Sequence, residues 1–468
     1  MKGVREYLSN KGIPDTPQMG SKRHEWRAFY NATHKFYDYE RKDNTRGITY
    51  RRKRKSLRLP HVICSEWSSL LINERTQLST DSQATTEWLN SWLDEVGFMQ
   101  NAQEAIEMSF AEGTGAWVLV PQNISADGAY SKALSIDLEF YTADNIYPQS
   151  WSKKSCTEAA FTTQIILSGE PYTQLLHWHL NENKLYDLDI AFFDKNGNRA
   201  YLDGYASEIK NVCSFTPFAL IKPNITNTYS PYSCFGVSVY DEALDAIKLA
   251  DEAFDNMHQD IELGRKLVAI SESMLSSTVE YDADGQARRR FTVPQESGKY
   301  LFMIGEQDGE LWKEYNPDLR VEDNRRAIVT ALQIVGKLTG MGNDYFSLEG
   351  ASGIRTATEV VAEQSPLFRT VRRHENELAG AIQTICRSAI DMHASLSDPT
   401  LAAPKEINIS FDDSVIEDVS ALQDRDQREV ALGLLAPYEY RMKWKGEDEK
   451  TARQAVKDMV LGNIPSGI

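Results

Sequence analysis

The chain is 468 residues long, enough for a large hydrophobic core, and its length predicts about three domains. Hydrophobic residues make up 41% and charged residues 25%, a folded-protein balance that argues against disorder, and no apolar run reaches the length of a membrane span. The formal net charge of -17 argues against a protein built to grip duplex DNA, which needs bases to neutralise phosphates, but leaves room for DNA that must slide past without sticking.

The start, MKGVREYLSNKG, lacks the apolar stretch of a signal peptide, and a cytoplasmic product is expected. Cys64, Cys156, Cys213, Cys234 and Cys386 lie far apart with no CxxC among them. That argues against a disulfide framework and a zinc site and predicts buried, reduced thiols.

Residues 1–60 are polar and aromatic and end in the basic run RRKRKSLRLP, Arg51 to Pro60. Such a run reads as a solvated arm, or as a contact for nucleic acid or an acidic partner. In HVICSEWSSLLINE, the spacing of Ile63, Trp67, Leu70 and Leu71 predicts one face of a helix. NAQEAIEMSFAEGTGAWVLVPQ reads as a helix, a turn at Gly113 and Gly115, and a strand over Trp117 to Val120. A dinucleotide fingerprint runs in the opposite order, so the turn is structural. From Trp117 to about Pro223, apolar and aromatic runs alternate with turn signals, a β-rich region of antiparallel type. His177 and His179 share one strand face within it. No third ligand stands near them in sequence, and no metal site is expected.

From Val237 the period changes. Tyr240, Leu244, Ile247, Ala250, Phe254, Met257 and Ile261 recur every three to four residues and predict an amphipathic helix to Gly264. Its other face carries Asp241, Glu242, Asp245, Asp251, Glu252, Asp255, Asp260 and Glu262 against Lys248, which a solvated face explains about as well as any special function. Residues 265–318 return to short strands, an insertion between helices. A second helix is expected from about Val321 to Thr339, with Ile328, Leu332, Val335 and Leu338 on one face and Arg325 and Arg326 near its start.

The next stretch, GKLTGMGNDYFSLEGASGIRTATEV, is a glycine-punctuated loop that opens into a helix. It fails as a phosphate loop, because Ala331 and Leu338 stand where the Walker spacing requires Gly and Ser or Thr. TATEVVAEQ is helical, and a further helix is expected with Ser365 as N-cap and Pro366 at its first position, set off from the one before by either a kink or a break. Val371, Leu378, Ile382, Ile385 and Ala389 line its buried face; INISFDD is a strand, and helices interrupted at Gly446 end the chain. No nucleophile elbow, zincin, EF-hand or kinase signature occurs, so neither catalysis nor a cofactor is expected. Asp412, Asp413, Glu417 and Asp418 form the densest acidic cluster, where a divalent ion could sit, although acids at the start of a helix are also what its dipole favours.

Five phrases carry a resemblance: LPHVICSEWSSLLINE, EAIEMSFAEGTGAWVLVP, GVSVYDEALDAIKLADEAFDNMHQDIELG, GIRTATEVVAEQSPLFRTVRRHENEL and the stretch from INISFDDSVIEDVS to TARQAV. In this order, over roughly residues 55–460, the chain resembles the portal proteins of tailed bacteriophages, the type common in phages of Gram-positive hosts. The resemblance implies an α+β portal-like fold with wing, stem, clip and helical crown, assembled as a dodecameric ring at one capsid vertex. Double-stranded DNA would be packaged and ejected through its channel. Terminase large subunit, major capsid and scaffolding proteins and a head-tail adaptor would dock on it, with no membrane partner, in the virion and in the host cytoplasm during assembly.

Mapped by the same resemblance, 1–235 is the wing, 236–264 the first stem helix, 265–318 the clip, and 319–339 the second stem helix. The tunnel loop is 340–354, long wing and tunnel helices with a return strand fill 355–412, and 413–468 is the crown. Met341, Asn343, Tyr345, Phe346, Ser347, Leu348 and Glu349 would face DNA, with Gly340, Gly342, Gly350 and Gly353 giving the loop freedom. Arg325, Arg326 and Lys337 would line the channel, and Arg288, Arg289 and Arg290 would meet a clip partner. Ala436 departs from the small hydroxyl residue frequent in the family, and the acidic tail common in relatives is missing after Val460. The alternatives are a monomeric minor head or scaffold protein that binds DNA by its basic arm, and a nucleotide-dependent enzyme.

Overall fold

In the computed structural model the chain is 47% helical and 26% strand, a mixture that excludes all-α and all-β folds and agrees with an α+β class. The structure describes all residues other than 1, 16–18, 43–46, 73–75, 125–129, 153–154, 203, 265–266, 272–275, 282–285, 293–299, 304–311, 317, 347–356, 398–400, 402–403, 405, 412–418, 446–448 and 463–468.

The chain opens with helices α1 (Lys2–Asn10) and α2 (Gly20–Tyr30), the hairpin of β1 (Asp38–Lys42) and β2 (Thr49–Lys53), and α3 (Leu59–Leu71). A short β3 (Gln77–Thr80), α4 (Gln83–Glu95) and α5 (Phe98–Glu112) follow. The β-rich region holds β4 (Gly115–Ile124), β5 (Tyr130–Thr142), β6 (Ile146–Ser152), β7 (Ser155–Leu167), β8 (Glu170–Leu180), β9 (Tyr186–Phe193), β10 (Arg199–Ala200), β11 (Glu208–Cys213) and β12 (Phe218–Ile221). Helix α6 (Leu244–Leu263) leads into β13 (Leu267–Ser271), β14 (Ser276–Tyr281), β15 (Ala287–Thr292), β16 (Tyr300–Met303) and β17 (Trp312–Tyr315). Then come α7 (Val321–Leu338), α8 (Ala357–Leu396), β18 (Ile407–Ser410), α9 (Val419–Ala431), α10 (Pro437–Lys445) and α11 (Glu449–Gly462).

Two compact units emerge, each assembled from separate segments. The first comprises Met1–Arg23, Cys64–Val239 and Ser352–Ile468, the second His24–Ile63 and Tyr240–Ala351. In the first, β6 to β10 form an antiparallel meander, with β11 also pairing on β9. Helix α1 lies on this sheet because Val4 and Leu8, one turn apart, and Ile13 after them meet Tyr147, Ala160, Leu175, Ala191 and Phe193. Gly3 permits the approach, since a Cβ there would lie 2.1 Å from the Gly197 carbonyl oxygen. Strand β4 runs between β5 and β12, with Val118, Leu119 and Val120 buried. The glycine turn before it is a packing device: Gly113 has a φ of +81, and a Cβ there would meet the Val237 backbone at 2.8 Å.

The third segment adds α8, which runs unbroken through Pro366 where a boundary capped by Ser365 was expected. A proline removes one intrahelical donor, and the face beyond it, with Val371, Leu378, Ile382, Ile385 and Ala389 all buried, holds the helix in register. Each of the four larger side chains, when fully buried, contributes about 1.5–3 kcal/mol. His374 on the same helix is buried against Trp67 and Phe110, and its Nδ1 accepts the Asn224 amide at 3.0 Å. Strand β18 pairs antiparallel with β3, Ile407 opposite Thr80. All five cysteines are buried and free.

In the second unit, α6 and α7 pack along one another, with Ile247 and Ala250 buried on α6 and Ile328, Ala331, Leu332 and Val335 on α7. Leu338, expected on the same seam, is 42% exposed, because the helix ends there. Between the two helices, β13 pairs parallel with β16 and antiparallel with β17, while β14 and β15 form a hairpin.

Candidate functional site

The helical pair of the second unit, with the turn after it and the strands between, carries the residues that the sequence singles out. At its base, Arg320 holds Asp260 through two parallel bonds, Nε to Oδ2 at 3.2 Å and Nη2 to Oδ1 at 2.8 Å, and Asn324 Nδ2 adds a third at 3.0 Å. The guanidinium holds the Asp260 carboxyl below its usual range. Gly264 ends α6 so close to α7 that a Cβ there would meet Leu319 at 2.1 Å. The chain therefore leaves one helix and enters the other at a single point, with the five strands strung between.

At the far end of α7 the backbone folds back on itself. The amides of Met341 and Gly342 donate to the Gly336 carbonyl at 2.9 and 3.0 Å, and Thr339 Oγ1 donates to Val335 O at 2.8 Å. Together they satisfy carbonyls that a helix end leaves open. Gly340 and Gly342 take φ of +81 and +101, and a Cβ on Gly336 would lie 2.1 Å from Gly342 O. Three glycines thus have distinct geometric duties here.

Met341, read as an outward-facing loop residue, is 2% exposed and anchors the turn instead, its amide held by the Gly336 carbonyl. Asn343 is exposed, and Tyr345, 36% exposed, meets Phe346 edge-on with ring centres 5.2 Å apart. Ser347, Leu348, Glu349, Gly350 and Gly353 lie outside the described residues. Arg325 and Arg326 are exposed on the first turns of α7, 3.3 and 3.6 Å from Glu322, and Lys337 is exposed on its last turn. Arg288, Arg289 and Arg290 sit on β15 opposite Glu280, Val279 and Thr278 of β14; their side chains lie outside the described set, as do Asp412 and Asp413.

The acidic stripe of α6 is solvated only in part: Glu242, Asp245, Glu252 and Glu262 are exposed, while two of its carboxylates turn inward. Asp251 and Asp255 are 0% and 2% exposed. Asp251 accepts the Leu57 amide at 2.6 Å, the Tyr37 hydroxyl at 2.8 Å and the Ser56 hydroxyl at 3.1 Å. Asp255 accepts the Lys55 amide at 3.1 Å, the Tyr39 hydroxyl at 3.2 Å and Gln259 Nε2 at 2.6 Å. Burial pushes the Asp251 carboxyl above its ordinary value against those bonds.

The basic run supplies the other half of this network. Arg52 lies 3.6 Å from Glu262, and Arg54 lies 3.3 Å from Glu252 with its guanidinium 4.0 Å from the centre of the Phe36 ring. The run is thus partly a seam of the fold, its acidic partner being α6 itself.

A second cluster lies in the first unit. His177 on β8 stands opposite Asp189 on β9 in the strand register, and His179 follows two residues on. Their ligand-type atoms all lie within 4.8 Å of one another, so the third group that the sequence does not show is supplied across the sheet. Tyr7 and Lys11 of α1 and its end reach the same carboxylate, at 3.0 and 2.7 Å from Oδ2. Burial pushes the His177 imidazole below its ordinary value, which keeps it neutral.

A comparison with curated proteins gives no match. Among solved structures, the neck of the native GTA particle computed with C12 symmetry is similar over 90% of this chain and 93% of that one, at 12% identity and a TM-score of 0.42, too distant a likeness to argue from. The family described as Phage portal protein, SPP1 Gp6-like, matches residues 20–455. With nearly its whole length inside that match, the chain belongs to the phage portal protein family of the SPP1 Gp6-like type.

Proposed function

We propose that this phage portal protein closes with copies of itself into a ring, twelve being expected, at one capsid vertex, and that duplex DNA passes through the ring during packaging and ejection. The observation that carries this reading is the paired α6 and α7, with a strand-built excursion at one end and a glycine-folded turn at the other. In the proposal these helices are the stem, 265–318 the clip and 340–354 the tunnel loop. The wing takes 1–235 with 355–412 beside it, and the crown takes 413–468.

Asn343, Tyr345 and Phe346, with Ser347, Leu348 and Glu349 beyond them, brush the duplex, while Met341 only anchors. Arg325, Arg326 and Lys337 are the few bases in the channel. Arg288, Arg289 and Arg290 offer the terminase an acidic-surface contact, and the remaining docking partners are capsid, scaffolding and head-tail proteins. A ring of twelve would carry a formal charge of about -200, which repels phosphates and lets DNA move. The protein performs no chemistry itself in this reading. A monomer that binds DNA by its basic arm is less well supported, because Arg52 and Arg54 are engaged by α6.

Negative-stain electron microscopy of the purified protein tests the proposal. Rings are expected with a hole of about 20 Å or more, above the major-groove scale of about 12 Å. Single compact particles at every salt concentration would remove it. Deleting Tyr345 to Glu349 should then leave rings intact and impair packaging or retention of DNA, and rings that no longer form would contradict the loop assignment.

A further inference from the structure

The cluster beneath α1 plays no part in the proposed conduit, and its chemistry is unbalanced. Gln149 Oε1 lies 2.6 Å from His177 Nε2, so that nitrogen carries the proton and donates. Nδ1 is left as a bare acceptor, 3.7 Å from another acceptor, Asp189 Oδ2. The Tyr7 hydroxyl has one proton to give, and it sits between the two, 3.0 Å from the carboxylate and 3.3 Å from the imidazole. His179 Nε2 lies 3.5 Å from the same carboxylate oxygen, yet it is buried without a hydrogen-bond partner. Two imidazoles and a carboxylate thus offer ligand-type atoms within 4.8 Å of one another, and the Asp189 carboxylate raises the His179 imidazole above its ordinary value. The Lys11 ammonium supplies a cation at 2.7 Å from Asp189 Oδ2, from a side chain that is 43% exposed.

We propose that His177 Nδ1, His179 Nε2 and Asp189 Oδ2 form a site for a divalent transition metal of the zinc type, which takes the place of the Lys11 ammonium. The donor set of two imidazoles and a carboxylate suits such an ion. Its tetrahedral ligands stand about 3.3 Å apart, so the carboxylate's separations of 3.5 and 3.7 Å need a small contraction, while the full set, within 4.8 Å, closes by a side-chain adjustment of the two imidazoles. Gln149 fixes the His177 tautomer in the manner of an outer-shell partner, accepting from the ring nitrogen that does not face the metal. Strand pairing fixes His177 opposite Asp189 before any ion arrives, so the site is preorganised. Three protein ligands leave a fourth position for water, and the ion would tie β8 to β9 directly beneath α1.

Titration of Zn2+ into the full-length protein, followed by calorimetry, tests this, with Co2+ absorption spectra as a second probe. One ion per chain is expected, with the visible bands of low-coordinate cobalt and a raised melting temperature. His179→Ala and Asp189→Asn should weaken binding at least tenfold. Lys11→Met, at a half-exposed position where folding is not at stake, should tighten it. With eight histidines in the chain, binding unchanged by His179→Ala would place the ion elsewhere and overturn the proposal. Absence of binding by both the native protein and Lys11→Met would overturn it as well, leaving the ammonium as the resident cation.

Discussion

At Asp251 three donors from the 36–57 segment meet one carboxylate that water does not reach. Asp251→Ala would orphan the Leu57 amide and two hydroxyls together, and should destabilise the protein by about 3 kcal/mol in urea denaturation. A loss within measurement error would mean that the arm is not held by this residue. His374 makes a prediction of the opposite chemical kind, since burial lowers its pKa to about 3. The unfolded chain takes up a proton below about pH 6.5 while the folded chain does not, so stability should fall as pH drops from there toward 3, by about 1.4 kcal/mol per unit. His374→Gln should flatten that slope between pH 7 and 5, and a slope unchanged by the substitution would assign it to other groups. Neither residue announces itself in the sequence. An aspartate on a helix face reads as solvated, and only the fold reveals that the basic run turns inward to meet it. The pairing of His177 with Asp189 is hidden for the same reason, because cross-strand register is a property of the sheet.

Elements were legible where their period was long and uninterrupted. The apolar spacing over α6 and α7 located both helices, although α6 starts at Leu244 and not at Val237, because the buried Val237, Val239 and Tyr240 mimic a helical period; the turn chemistry of residues 117–223 located the sheet strands. Strand β3 was not legible, since QLST has four residues without an apolar pattern and pairs with β18 from the far end of the chain. Helix α8 was divided at Pro366 because a local rule outweighed tertiary packing that the sequence does not display. The folded-back end of α7 gives a test at this scale. Gly336→Ala would force a methyl against Gly342 O and should cost about 1–3 kcal/mol, seen as faster hydrogen exchange at the amides of Met341 and Gly342. Unchanged protection there would show that the turn can accommodate the methyl without opening.

For the whole molecule, mixed class and element order could be read from composition and period, but the division into units could not. Residues 24–63 cluster with α6 and α7, although in sequence they stand among the segments of the other unit. Net charge belongs to this scale also. With -17 overall and Arg52 and Arg54 engaged, the purified protein should not retain duplex DNA in a gel shift at moderate salt. A tight complex that weakens steeply with salt would restore the basic arm as a nucleic-acid contact. The junction of Gly264 and Leu319, clasped by Asp260 and Arg320, bears on how this chain can change. A segment that departs and returns through one clasp is a cassette: its ends are already closed, so added residues raise the closure entropy only logarithmically. The strands from 267 to 315 can therefore be lengthened, trimmed or exchanged while the paired helices keep their register.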